Sequence, residues 1–335
     1  MPAALSIVVP SHDTLALTLA CLASLSRARA AGGPRDMEVI LVDDGSRDGT
    51  AEAVASAHPE VVVLRADPSQ GFTRAANLGL ARAAGDVLLL LNSDTEVEPA
   101  GPAALAGRFG ADPRLGIAGG ALFYPDGERQ WSGGAAPTLP WLLALASGLP
   151  SWLARAPGYR RLRSPSGAAR GRGEVAWVTG AAMAIRRAAW RQVGPFDEGF
   201  RFYAQDLDLC LRAGAAGWRV AVLADFPVLH HHGATIQRVD PAAGASGETA
   251  AGRRGWQHAE LLWTDLLRWA AKAHGERWAG RAARALAAGA SLRLLARRLA
   301  VGFLPRARRA GFRAESAALS HARDAVRARR GGRRD

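Results

Sequence analysis

The segment "DVLLLLN", residues 86–92, sets four consecutive leucines between polar neighbours. A run of that kind, without alternation, reads as a short strand covered on both faces, as in the interior of a parallel sheet. It demands a layer above and a layer below, and the flanking sequence supplies both. "LSIVVP" (5–10), "EVILVD" (38–43) and "VVVLR" (61–65) are further strand-like runs. Between them, residues 14–27 carry Leu15, Leu19, Leu22 and Leu25 at roughly helical spacing, and "GTAEAVASA" and "GFTRAANLGLARAAG" are helix-like. Strands alternating with helices of this length imply an α/β chain with a doubly wound, mostly parallel sheet flanked by helices.

After residue 100 the alternation loosens. Strands are expected at 115–123, 175–186 and in "WRVAVLAD", with a helix at about 204–215. The uncharged stretch between Arg129 and Arg155 contains "PWLLALASGLPSWLA", which falls short of the ~20 apolar residues of a membrane span and reads as a loop or interfacial segment. From 241 onward the chain is Ala/Arg-rich and helical in character, with Ala259, Leu262, Trp263, Leu266 and Ala270 on one stripe. The expected organisation is therefore a domain over 1–240 and a basic helical extension over 241–335.

Charge follows the same division. Residues 241–335 hold 20 Lys+Arg against 7 Asp+Glu, whereas the first 240 hold 23 against 23, so the whole formal charge of +13 belongs to the extension. Cys21 and Cys210 are the only cysteines, which excludes a disulfide framework and suits a reducing interior. The opening "MPAALSIVVP" has no basic segment ahead of its apolar run, so no secretory signal is expected.

Three polar clusters follow strands: Pro10–Asp13, Asp43–Ser46 and Asn92–Asp94. Singly, each is ordinary turn chemistry. Together they would converge on the carboxyl edge of one parallel sheet, where such folds bind ligands. There Asp43 or Asp44 could accept from a base or ribose, and Asp94 could ligate a divalent cation that neutralises phosphates. The first strand ends in "VVPSHD" without a glycine, which excludes the dinucleotide fingerprint, and no Walker loop is present. Farther on, Gln205, Asp206 and Asp208 open a helix, where an acid can serve simply as a cap. His230, His231 and His232 offer neutral imidazole ligands after a strand.

The ordered series "SIVVPSHD", "VILVDDGSRDGT", "GFTRAANLGLARAAGDVLLLLNSDTEVEP", "VTGAAMAIRR", "VGPFDEGFRFYAQDLDLCLRAGAAGW" and "LHHHGAT" resembles the family 2 inverting glycosyltransferases of GT-A fold. Within that family the series is most similar to bacterial rhamnosyltransferase-type enzymes of cell-surface polysaccharide synthesis, over about residues 5–240. The resemblance implies a nucleoside-diphosphate sugar donor (dTDP-rhamnose-like or UDP-linked), a glycan or lipid-linked acceptor, and Mn2+ or Mg2+. It implies that Asp44, with Asp43 and the backbone around Pro10 and Ser11, holds base and ribose, and that Asp13, Asn77, Asn92, Ser93, Gly180 and Ala181 line the donor side. Asp94 would bind the metal, in the place of the family's Asp-x-Asp motif. Asp206 would be the general base. His230, leading a His-x-x-Gly-x-Ser/Thr pattern completed by Gly233 and Thr235, would join the metal. Asn92, Asp13 and Gln205 depart from the family's commoner Asp, Asn and Glu.

The basic extension admits two readings of a different kind, a nucleic-acid-binding or a membrane-binding protein with a non-catalytic nucleotide domain. No nucleic-acid-binding motif is present, and aromatic residues are not interleaved with the Arg clusters as stacking on single strands requires. "SLRLLARRLAVGFLPRARR" sets Leu292, Leu295, Leu299 and Phe303 on one stripe beside Arg293, Arg297 and Arg298, the composition of an interfacial helix on an anionic surface. The implied location is cytoplasmic or peripheral on the inner face of the cell membrane.

Overall fold

The computed structural model describes residues 4–34, 37–148, 173–231, 259–303 and 306–331. The chain forms two compact units. The first comprises 1–136, 164–199 and 205–240; the second gathers 137–163, 200–204 and 241–335, where the sequence suggested one cut at 240.

The first unit begins with β1 (Leu5–Ser11), α1 (Leu15–Ala30), β2 (Glu38–Asp43), α2 (Thr50–Ala57), β3 (Val62–Arg65), α3 (Phe72–Arg82) and β4 (Val87–Leu91). It continues through β5 (Thr95–Val97), α4 (Gly101–Ala111), β6 (Leu115–Phe123) and β7 (Gly133–Gly134). The helix α5 (Leu139–Ser147) that follows belongs to the second unit. The chain returns with β8 (Trp177–Val178), β9 (Ala182–Arg186), α6 (Arg187–Val193), α7 (Gln205–Ala215) and β10 (Arg219–His230).

Eight strands make one sheet in the order β3-β2-β1-β4-β9-β6-β10-β5. β1, β2, β3 and β4 run parallel, as do β6 and β10, while β9 and β5 enter antiparallel. The leucine run behaves as its composition requires. Every residue of β4 is buried, with Leu89 and Leu91 in the core that holds Leu22, Leu25 and Phe109, and Leu88 and Leu90 in the core that holds Leu80, Leu209 and Cys210. Close packing extends to α3, where a Cβ on Gly79 would lie 2.3 Å from Val8 Cγ1 and 2.8 Å from Val42 Cγ2.

Two sequence expectations change. Residues 175–186 are not one strand. They are β8 and β9, separated by a turn at Gly180–Ala181 whose backbone groups are needed elsewhere, as described below. Within the "PWLLALASGLPSWLA" stretch, read as a loop or interfacial segment, "PWLLALAS" belongs to the helix α5, because Thr138 Oγ1 accepts from Trp141 N–H at 3.3 Å and Pro140 falls in the first turn, where a missing N–H costs nothing; residues 149–154 lie outside the described residues.

The second unit contains α5 with α8 (Ala259–His274), α9 (Glu276–Ala300) and α10 (Arg306–Gly331). α8 buries Ala259, Trp263, Leu266 and Ala270, leaving Leu262 only half-buried. α5 lies so close to α9 that a Cβ on Gly289 would sit 2.4 Å from the Leu143 carbonyl oxygen. The buried Asp265 carboxylate accepts from the backbone N–H groups of Phe202 and Tyr203 at 3.0 and 2.9 Å, tying residues 200–204 to α8. On α9, Leu292, Leu295 and Leu299 are exposed, at 53, 57 and 69%. Two of the arginines expected beside them are turned inward. Arg297 stacks on the Phe312 ring and donates to Ser316 Oγ, Phe312 O and Glu315 Oε2, and half-buried Arg293 lies against Gly148, its pKa pushed down to about 10 by burial first and by Arg297 second.

Gly79→Ala is expected to destabilise the protein by about 1–3 kcal/mol, the range for overpacking a rigid interface. Urea unfolding monitored by tryptophan fluorescence measures it; an unchanged midpoint would mean that α3 can shift away from β1 without loss.

Candidate active site

The parallel register puts Pro10 beside Val42 and Ser11 beside Asp43, so the ends of β1 and β2 form one rim. The Asp44 N–H reinforces it by donating to Ser11 O at 2.8 Å. The Asp44 carboxylate accepts from Ser69 Oγ (2.7 Å), Gln70 N–H (2.7 Å) and Gly71 N–H (2.9 Å), three of the roughly four directions a carboxylate can accept from. It therefore shapes the loop ahead of α3. Asp43 is wholly buried, with Oδ1 accepting from Ser46 N–H and Oδ2 3.5 Å from Arg65 Nε. Asp13 sits in the left-handed region at φ +50, tolerable for an aspartate, and Arg47 N–H holds its Oδ1 at 2.7 Å.

The serines work between strands. Ser11 Oγ is 2.9 Å from both Thr14 Oγ1 and Thr18 Oγ1, and Thr14 Oγ1 is 3.0 Å from Ser93 Oγ. This buried hydroxyl chain joins the end of β1 to the end of β4. Asn77 is engaged at both ends of its amide: Nδ2 donates to Phe196 O and Glu198 Oε1, and Oδ1 accepts from Phe196 N–H. It ties α3 to the loop at 196–198.

Beyond β4, a turn over Asn92–Thr95 is closed by Thr95 N–H and Oγ1 donating to Asn92 O. The turn hands the chain to β5, which pairs antiparallel with the end of β10 so that Thr95 faces His230. His231 N–H donates to Asp94 O at 2.9 Å. The result is that His230 Nε2 stands 3.4 Å from Asp94 Oδ1, with both side chains buried. Nearby in sequence, Asn92 Oδ1 is buried without a hydrogen-bond partner among the described residues.

A carboxylate and an imidazole at that separation suit two corners of a divalent-cation site whose remaining positions go to phosphate oxygens and water. Among the described residues no group of three or more His, Cys, Asp or Glu could hold a metal alone. The donor set thus fits a cation shared with a diphosphate, not a closed protein cage. His232, Gly233 and Thr235 lie outside the described residues.

Asp206 opens α7. Its Oδ2 accepts from Gly180 N–H at 3.0 Å and its Oδ1 from Leu207 N–H at 2.8 Å. Burial raises its pKa above the ordinary 3.8, and those two hydrogen bonds partly offset the rise. Asp208, by contrast, is paired with Arg212 one turn on at 2.8 Å, and Arg212 also donates to Pro195 O. That carboxylate is structural.

The Gly180–Ala181 turn explains why β8 and β9 separate. Gly180 N–H holds Asp206, while Ala181 O accepts from Asn92 N–H at 2.9 Å. One turn therefore couples the Asp206 carboxylate to the strand end that carries Asp94. Sequence reasoning missed Gln130, which bonds the His230 ring, and the Ser69–Gly71 loop, which fills Asp44. Gln130 lies in "DGERQWSGG", where only an Asp-Gly turn signal is legible.

"Glycosyl transferase family 2" matches residues 6–194, and "Glycosyl transferase family group 2" matches 164–312. N-acetylglucosaminyl-diphospho-decaprenol L-rhamnosyltransferase of Mycobacterium tuberculosis is 32% identical over 280 residues, covering 76% of this chain and 86% of the relative. Among solved structures, the mannosyltransferase PcManGT from Pyrobaculum calidifontis, in complex with GDP-Man and Mn2+, aligns with a TM-score of 0.56 at 17% identity, over 100% of this chain and 89% of that one. GalNAc-T7 with UDP, GalNAc and Mn2+ aligns at 0.51 and 18%, over 68% and 44%. At such identities these two speak for the fold. With the family match spanning more than half its length, the chain belongs to glycosyl transferase family 2 and is a glycosyltransferase of rhamnosyltransferase-like type on the GT-A fold.

Proposed function

We propose that the protein transfers a sugar, with inversion, from a nucleoside-diphosphate sugar to a hydroxyl of a cell-surface glycan or lipid-linked acceptor. The donor would be dTDP-rhamnose-like or a UDP-sugar. The observation that carries the mechanism is Asp206: a carboxylate at a helix start, locked by two backbone N–H groups and raised in pKa, yet retaining partial exposure. The relative from Mycobacterium tuberculosis, named as a rhamnosyltransferase acting on a diphospho-decaprenol, supports the donor and acceptor classes.

Inversion by direct displacement needs one carboxylate, on the acceptor side. The acceptor hydroxyl gives its proton to Asp206 as its oxygen bonds to the anomeric carbon; the bond from that carbon to the diphosphate breaks, and the diphosphate leaves with the electron pair. Gly180 and Leu207 fix the carboxylate so that little reorientation precedes proton transfer. Asp94 and His230 would hold Mn2+ or Mg2+, which when bound supplies Lewis-acid stabilisation to the leaving diphosphate. The Mn2+ in the two structural neighbours supports that choice of ion.

The same reading puts the enzyme on an anionic membrane face, through its second unit. α9 carries no acid after Glu276, and its exposed residues include Arg277, Arg281, Arg284 and Arg298. With 3.6 residues per turn, Arg277, Arg281, Arg284, Leu292, Leu295 and Leu299 fall within roughly a quarter of the circumference. That stripe is cationic in its first half and apolar in its second, a complement to anionic headgroups over acyl chains. Each arginine near such a surface contributes about 1 kcal/mol, and the attraction is screened by salt. No helix among the described residues is long and apolar enough to cross a membrane.

Asp206→Asn should keep donor binding and lose transfer by at least ~10²-fold. Near-wild-type turnover would put the base elsewhere. In the wild type, kcat/KM should rise with pH through an acid limb displaced above the ordinary aspartate value, since the base works deprotonated and burial raises its pKa; a limb at or below that value would contradict the assignment. Asp94→Asn should abolish the Mn2+ dependence of nucleoside-diphosphate binding in calorimetry, and unchanged affinity would sink the metal assignment. The combined Leu292→Ser, Leu295→Ser and Leu299→Ser protein should no longer sediment with phosphatidylglycerol vesicles while still binding donor. This variant tests attachment better than removal of residues 290–335, which would also delete the buried Leu294, Leu319 and Val326. Undiminished sedimentation would shift the attachment to another surface.

A further inference from the structure

His230 reaches Asp94 because of strand pairing, but the pairing does not decide which ring nitrogen carries hydrogen. Gln130 does. Its side chain is buried, and its backbone N–H donates to Leu122 O at 2.9 Å, so the residue cannot drift from the end of β6. Its Nε2 donates to His230 O at 2.6 Å and to Phe123 O at 3.2 Å. Both partners are carbonyl oxygens, which only accept, so the amide must present its NH2 to them. The orientation of the amide is thereby fixed. The opposite orientation would set Oε1 against two other oxygens in a buried site, leaving three acceptors without a proton among them.

With the amide so placed, Oε1 lies 2.8 Å from His230 Nδ1. An amide oxygen can only accept, so Nδ1 must be the protonated nitrogen. In the neutral ring the lone pair is then on Nε2, the atom 3.4 Å from Asp94 Oδ1. The other tautomer would do something different. Its Nε2–H would donate to Asp94 and satisfy both groups with each other, leaving no lone pair for a cation. We propose that Gln130 is a positioning residue that holds His230 in the Nδ1–H tautomer, keeping Nε2 available as a ligand beside Asp94. This rests on the metal reading for its consequence, while the tautomer itself can be measured without metal.

The wild-type protein, labelled with 15N-histidine and free of metal, can be examined by long-range 1H–15N correlation above the pH at which its histidines are charged, with His230→Asn used to assign the signal. The expected result is a protonated Nδ1 and a lone pair on Nε2; a dominant Nε2–H tautomer overturns the proposal. Gln130→Met keeps length and loses the amide. It should move His230 towards the Nε2–H tautomer and weaken Mn2+ binding, measured calorimetrically with the nucleoside diphosphate present, by ~10–100-fold, the usual cost of losing the group that orients a histidine ligand. Wild-type tautomer and affinity in that variant would also overturn it. Should Gln130→Met not fold, the wild-type spectrum alone decides. Failure of the metal reading is separable, because it would show as unchanged Mn2+ binding in Asp94→Asn whatever the tautomer of His230.

Discussion

The antiparallel pairing of β5 with the end of β10 is the contact on which the site depends. β10 begins as a parallel partner of β6, shifts register between Leu223 and Pro227, and ends with His230 opposite Thr95. Proline cannot donate to a ladder, so a bulge at that point is where the strand can change its course. A slip of one residue would send the imidazole to the other face of the sheet and away from Asp94. Register here is a condition of chemistry as much as of stability.

Three carboxylates are placed chiefly by backbone N–H groups. Asp44 is held by Gln70 and Gly71 along with Ser69 Oγ, Asp206 by Gly180 and Leu207, and Asp265 by Phe202 and Tyr203. Backbone donors cannot swing away as an arginine can, so each carboxylate gains a fixed direction at the price of desolvation. For Asp206 the desolvation wins and the pKa rises. A carboxylate with a raised pKa accepts a proton more strongly, provided the working pH still leaves it ionised.

The second unit divides its arginines by face. Arg293 and Arg297 are absorbed into helix packing, whereas Arg277, Arg281, Arg284 and Arg298 remain exposed. Formal charge therefore overstates what the extension offers a partner. The leucines beside the outward arginines are a more specific signal than the charge total, because exposing Leu292, Leu295 and Leu299 to water has no value for the fold itself.

Much of the architecture was legible in the sequence by itself. The unbroken Leu88–Leu91 run and the alternating helices required a two-sided parallel sheet, since apolar side chains of both parities must leave water. The three polar clusters pointed to one edge because the strands of a parallel sheet all end on the same side. The sequence was less informative where periodicity ends. It read 175–186 as one strand, because nothing in "VAWVTGAAMAIR" reports that Gly180 and Ala181 must turn to bond Asp206 and Asn92. It could not show that the Asp44 carboxylate is filled by the loop at 69–71, or that Arg297 faces inward. Gln130 was invisible as well: its partner is 100 residues away, and a lone glutamine in a turn-rich stretch has no pattern. Local sequence determined which segments hide from water. Only the tertiary structure decided which distant polar atoms meet, because a hydrogen bond depends on ångström-scale placement that hydrophobic periodicity does not encode.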